Sequence, residues 1–257
     1  MQTPKEAQQR IVEVWNSYFP EMPEPTKINT FLEKLLILDQ AAQSNLRTVI
    51  FGYRDLKIYH INVASARYFG ATPDEITKVG APWIFGCFEP EQARVSMNNA
   101  NFIAENLSHL SPVGITNSCS SYVNWRITCP KGNTHRSLFH SFPVLLDDNG
   151  GPLLGMYIIN DLEPFMNPET WWCRYKFDGK IQVQHCEDVS IHDSDIISHR
   201  ELEILKLVYD GASSKDIANE LFLSVNTVDN HRRNMLKKSG AVDTSSLIHL
   251  CKLCQII

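Results

Sequence analysis

The chain has 257 residues, enough for one large domain or two modest ones with real apolar cores, and its overall composition is that of an ordinary globular protein. Seven cysteines, odd in number and scattered, read as reduced thiols in a cytoplasmic setting rather than as a disulfide framework. A polar start, MQTPKEAQQRIVEVW, does not read as a signal peptide, and no apolar run is long enough to cross a bilayer. The net charge of −5 is unevenly spread: residues 1–195 carry 16 Lys/Arg against 22 Asp/Glu, and residues 196–257 carry 8 against 7.

In chain order, residues 5–19 and 29–44 have the apolar spacing of amphipathic helices, separated by the proline-rich joint PEMPEP. Short strands are predicted at 48–53 and 57–61. Asn62 can cap a helix that Gly70 ends. Thr72-Pro73-Asp74-Glu75 then opens another, with a cap, a proline at the first helical position and an acid at the third. Residues 90–107 read as helix. Three longer strands follow at 121–129, 135–145 and 153–161, joined by the turn sequences PKGN and DDNGG, and a further hairpin is predicted over 171–186 around Asp178-Gly179.

The stretch YHINVASARYFGATPDEITKVG, 59–80, resembles the early part of a PAS domain through Asn62, Ala64, Gly70, Thr72, Glu75 and Ile76, and the strands at 121–161 match its second half. That resemblance implies a five-stranded antiparallel sheet with helices on one face, a fold that often senses a small molecule, a cofactor or a partner. Alternation along 122–128 sends Val123, Trp125 and Ile127 to one face and Tyr122, Asn124 and Arg126 to the other. Trp83, Phe85, Phe88 and Trp125 are the aromatic candidates for lining a ligand pocket, although simple core packing is the favoured reading of them. Cys87 in FGCFEP resembles a flavin-reactive cysteine, but the surrounding residues that such a photosensor needs are absent. A haem site through His109, His135 or His140 has no better support, since His135 and His140, an odd number apart on one strand, point to opposite faces. No cofactor is assigned.

The piece EDVSIHDSD, 187–195, is acidic and without clear periodicity, and reads as a linker. From Ser198 the pattern is helical to the end. Ser198-His199-Arg200-Glu201 is a capping box whose helix buries Leu202, Leu205 and Val208 and stops at Asp210-Gly211. Ser213 faces Asp216 in a near capping box. Ser224 starts a third helix that ends at Gly240, and Asp243 caps a fourth with Leu247, Leu250, Cys251 and Cys254 on its apolar positions. The very short turn between the second and third helices is that of a helix-turn-helix. Within 224–238, Arg232, Arg233, Lys237 and Lys238 stand against Asp229 alone. Val228, His231 and Met235 fall on one side and should pack inward. Asp229, Asn230, Arg233 and Lys237 fall on another, a face suited to base edges in a major groove: arginine for guanine, asparagine for adenine, a carboxylate for cytosine N4. Asp229 on its own is read equally well as an exposed acid that touches nothing. Backbone N–H groups beside Ser213, Ser214 and Lys215 can meet phosphate, with Thr227, Lys237 and Lys238 as further anchors.

ISHRELEIL, GASSKDIANEL, SVNTVDNHRRNMLKK and GAV together resemble the LuxR/GerE-type DNA-binding domain of bacterial transcription regulators over 197–250. The resemblance implies that the third helix lies in the major groove and that the fourth, through Leu247, Leu250, Cys251 and Cys254, pairs two copies. It places Asp229, Asn230 and Arg233 where bases are read, and Lys215, Thr227 and Lys238 where phosphate is held. Asp229, where a lysine is common, Arg232, where an apolar residue is common, Ser239 for leucine and Thr244 for arginine depart from the pattern. CxxC at 251–254 without partners of matching spacing reads as core or dimer seam rather than as a metal or redox site.

The expected architecture is therefore α+β: N-terminal helices over 1–45, a PAS-like five-stranded sheet with helices and an extra hairpin over 46–187, a linker at 188–197, and an all-α four-helix LuxR-type module over 198–257. The expected function is sequence-specific binding of double-stranded DNA as a homodimer at a partly palindromic site, controlled by a small molecule or partner. The alternative is a protein-interaction module that has lost specific DNA binding. No Gly-rich phosphate loop, metal constellation or nucleophile motif points to an enzyme.

Overall fold

The computed structural model describes residues 4–20, 25–42, 46–167, 169–186 and 188–257. Helices α1 (Pro4–Tyr18) and α2 (Pro25–Ala42) form where the apolar spacing predicts them. The centre of the PEMPEP joint, residues 21–24, and the predicted end of the second helix beyond residue 42 lie outside the described residues. Ile11 and Trp15, four apart on α1, are its buried positions, and the Trp15 ring meets Tyr53 at 4.5 Å.

Strands β1 (Arg47–Gly52), β2 (Ile58–Ile61), β3 (Ser120–Thr128), β4 (Thr134–Leu146) and β5 (Pro152–Asp161) pair antiparallel in the order β2-β1-β5-β4-β3. This is the five-stranded sheet of the PAS-like expectation. Between β2 and β3 run α3 (Val63–Tyr68), α4 (Pro73–Val79), α5 (Ala81–Gly86), α6 (Pro90–Ser108) and α7 (Pro112–Ser118). Asn62 caps α3 by accepting from the Ser65 amide at 2.9 Å, and Thr72 with Glu75 closes a full capping box on α4. The six- and seven-residue helices α5 and α7 are too short to show a helical period in sequence, and they went unpredicted.

The sheet continues past β3. Strands β6 (Trp172–Phe177), β7 (Lys180–His185) and β8 (Asp188–His192) extend it to eight strands. Asp178 and Gly179 both have positive φ, 48° and 82°, as a two-residue type I′ hairpin requires. The expected linker is thus corrected: its first residues, 188–192, form an edge strand on β7, with Val183 opposite His192. Backbone pairing at an edge needs no apolar alternation, and exposed charged side chains there block further pairing, so the acidic composition concealed a strand.

Helices α8 (His199–Tyr209), α9 (Ser214–Glu220), α10 (Val225–Ser239) and α11 (Thr244–Leu253) complete the chain, each behind the cap expected from sequence: Ser198, Ser213, Ser224 and Asp243. The sheet is the middle layer. Val123, Trp125, Cys173, Tyr175 and Phe177 face a core shared with α1 and α3–α6. Tyr122, Leu138, Trp172 and Val183 face the opposite way, into a core that is continuous with Ile204, Leu205, Val228, Met235 and Leu250 of the C-terminal helices. The α10–α11 corner is also stitched to the sheet by polar bonds. The Trp172 indole N–H donates to the Ser239 carbonyl at 2.9 Å, and the Asn167 amide donates to the Gly240 carbonyl at 2.6 Å. Buried Arg174 holds Asp195 through two bonds of 2.7 and 2.9 Å and also reaches the Cys254 carbonyl at 3.3 Å. No helix among the described residues is long and apolar enough to cross a membrane.

Candidate nucleic-acid interface and interior cavity

α10 is built to present one side. Ser224 accepts from the Thr227 amide at 3.0 Å to start it, and Gly240, in the left-handed region at φ 79°, ends it. Val228 and Met235 are fully buried, with His231 half-buried beside them. On the outer side Asn226, Asn230, Arg233, Asn234 and Lys237 are exposed, and the Arg233 guanidinium donates to the Asn230 side-chain oxygen. The polar bonds from the sheet fall at Ser239, Gly240 and Cys254, beyond this exposed ridge.

Asp229 behaves differently from the expectation. It is half-buried, and its Oδ1 accepts from the Ser214 hydroxyl at 2.7 Å. Arg232 donates through Nη1 to the same hydroxyl at 3.0 Å and through Nη2 to Thr244 Oγ1 at 3.5 Å. Three departures from the LuxR-type pattern, Asp229, Arg232 and Thr244, are therefore one network tying α10 to the starts of α9 and α11. In this arrangement the Asp229 carboxylate is turned to α9, and the hydroxyl of Ser214 is already engaged. No periodicity argument could have found this, because the partner lies fifteen residues away on another helix.

Among the phosphate candidates, Lys215 and Lys237 are exposed. Ser213 is committed to its capping box with Asp216, donating at 2.5 Å, and Thr227 shares a 2.8 Å bond with Ser224. Lys238 is also drawn inward: its Nζ lies 2.5 Å from Glu201 Oε2. Burial pushes the Glu201 carboxyl up, but Lys238 and the Ser198 hydroxyl and amide outweigh it and hold the group below the ordinary glutamate range. Lys238 is thus engaged in an ion pair within the module.

The assignment of Leu247, Leu250, Cys251 and Cys254 to a dimer seam is corrected as well. All four are at most 2% exposed within this single chain. Their i, i+3, i+4, i+7 spacing marks the helix face that the module's own core claims first. Burial keeps both thiols protonated, raising Cys251 to about 12 and Cys254 further. The exposed residues of α11 are Ser245, His249 and Lys252.

On the far face of the sheet a cavity of about 120 Å³ lies between β-strands and helices. Phe85, Phe88 and Trp125 line it as the aromatic pattern allows; Trp83 is not among the lining residues. α1 contributes Ile11 and Trp15, and α6 contributes Asn99 and Ala100. The wall is mostly apolar, with hydroxyls from Ser121, Ser141, Tyr53, Tyr157 and Tyr175. Burial raises the phenols, Tyr157 to about 12 and the other two higher, so all three remain neutral donors and acceptors. Sequence did not reveal the contribution of α1, which depends on a long-range docking.

An exposed polar ridge on the second helix of a helix-turn-helix, carried by a four-helix module, is the geometry of a DNA-binding regulator class. Residues 195–251 match the family described as GerE, bacterial regulatory proteins of the luxR family. Over 59 residues the chain is 48% identical to the oxygen regulatory protein NreC of Staphylococcus haemolyticus, covering 23% of this chain and 27% of that protein. Over 57 residues it is 42% identical to BvgA, the virulence factors putative positive transcription regulator of Bordetella pertussis, covering 22% of this chain and 27% of that one. The chain spans about a quarter of the length of these curated relatives. Among solved structures, the PAS domain of the fruit-fly ELK potassium channel superposes with a TM-score of 0.37 at 12% identity, over 52% of this chain and 98% of that one. VqmA bound to DPO gives 0.32 at 17% identity, over 83% and 89%.

Proposed function

We propose that this chain is a cytoplasmic transcription regulator that binds double-stranded DNA through α10 as a homodimer and responds to a small molecule held in the interior cavity of its PAS-like part. The observation that carries this reading is the free ridge. Asn226, Asn230, Arg233 and Lys237 stay exposed while the module's core is continuous with one face of the sheet. Arg233 and Asn230 are the base readers, Lys215 and Lys237 the phosphate anchors. The inward turn of Asp229 removes the acid from the contact face, and with it the main reason to think that specific binding was lost.

Two symmetric recognition helices would engage half-sites about one turn, ~34 Å, apart on a partly palindromic site. Selection of bound duplexes from a random pool by the full-length protein, repeated at several salt concentrations, tests this. Enrichment of one such sequence is the expected result. Retention that falls steeply with salt and prefers no sequence would reduce the claim to phosphate binding, and no retention at any salt would overturn it. On the selected site Arg233→Ala should cost about 1–3 kcal/mol and relax choice at one base, whereas Lys215→Ala should weaken all sequences alike.

A further inference from the structure

The turn that leads into the recognition helix carries two apolar side chains in the open. Phe222, in the left-handed region at φ 54°, is 95% exposed, and Val225 is 44% exposed. Val225 is the first residue of α10 after its cap Ser224. It is one helical step of four before Asp229 and two before Arg233, so it shares the stripe that ends at the exposed arginine. Asp229 is turned away to Ser214 at 2.7 Å, which leaves the first turn of that stripe to Val225, beside the amide of Asn226.

Resting on the DNA-binding reading above, we propose that Val225 is a specificity-determining residue that reads the C5-methyl group of a thymine in the major groove. The N-terminal turn of a recognition helix is the part that meets base edges. Major-groove edges offer donors, acceptors and one apolar feature, the thymine methyl. A valine has neither donor nor acceptor, so facing any other base edge would leave a polar group desolvated and unpaired. The charge around it fits a polyanion. Exposed Arg233 and Lys237 lie farther along the same helix, and its one acid, Asp229, is turned to Ser214.

The test uses the full-length protein and the duplex enriched by selection. Each thymine is replaced singly by deoxyuridine, which removes only the methyl group. One position should weaken wild-type binding about fourfold, the worth of one buried methyl. Val225→Ala should bind more weakly and lose most of that sensitivity at the same position, while Val225→Ile retains it. Because Val225 is exposed, its far-ultraviolet circular dichroism and unfolding midpoint should match wild type. An enriched duplex whose thymines all tolerate deoxyuridine, or a Val225→Ala protein with the full wild-type loss, overturns this assignment and leaves the DNA-binding reading standing. Failure to enrich any sequence overturns both.

Discussion

Asp229 shows how one contact changes the meaning of a residue. Its carboxylate accepts from Ser214, and Arg232 donates to the same hydroxyl. Asp229→Asn keeps an acceptor at that point, so operator choice should be unchanged at every base; altered preference at one base in a selection repeated with this variant would restore Asp229 as a reader. Asp229→Ala leaves the hydroxyl and guanidinium under-satisfied and should cost about 1–3 kcal/mol in urea unfolding. His140 offers a second residue-scale prediction. It stacks on Tyr122 at 4.2 Å, and burial pushes its imidazole down to about 4. A histidine that titrates lower in the folded than in the unfolded chain favours folding fully above the unfolded value of about 6.5 and loses that contribution as pH falls towards about 4. His140→Phe keeps the stacking and removes the titration. Its stability relative to wild type should therefore improve by about 2 kcal/mol between pH 7 and pH 5, read from paired urea titrations.

At the scale of elements, the parts legible in sequence are those fixed by local chemistry. Ser198, Ser213, Ser224 and Asp243 each cap the helix assigned to them, and Asp178-Gly179 makes its hairpin, because a cap or a tight turn is decided within four residues. What stayed hidden depends on distant partners. β8 forms only because β7 offers an edge, Lys238 turns inward only because Glu201 waits thirty-seven residues earlier, and the apolar stripe of α11 does not announce whether its own core or another copy will cover it. Gly240 joins the two kinds of constraint. Its φ of 79° ends α10 locally, and a Cβ there would lie 2.7 Å from the Cβ of Thr170, which belongs to the segment before β6. Gly240→Ala should thus combine about 1–2 kcal/mol of left-handed strain with a clash. Adding Thr170→Gly should recover the clash but not the strain, so thermal unfolding of the double variant should fall between wild type and the single variant.

For the molecule as a whole, the sheet separates the cavity from the C-terminal helices by one layer of backbone. β3 sends Val123 and Trp125 to the cavity and Tyr122 to the helices; β6 sends Tyr175 and Phe177 one way and Trp172 and Arg174 the other. Packed interiors transmit displacement rather than absorb it. A molecule that fills the cavity therefore bears on the same strands that hold Ser239 and Cys254. Benzene is a suitable probe, since an apolar void near this size is large enough for one ring. It should raise the unfolding midpoint of the wild-type protein by preferential binding to the folded state. Ala100→Leu, which occupies part of the cavity, should abolish that rise. Benzene should also change affinity for the selected duplex, by about 5–150-fold if the two sites differ by an ordinary allosteric free energy. Trp172→Phe keeps a ring in the buried position and removes only the N–H that reaches Ser239. In that variant the midpoint should still rise with benzene while the effect on DNA affinity shrinks. An undiminished effect on affinity would mean that the signal crosses the sheet by packing or through Arg174, and not through the indole bond.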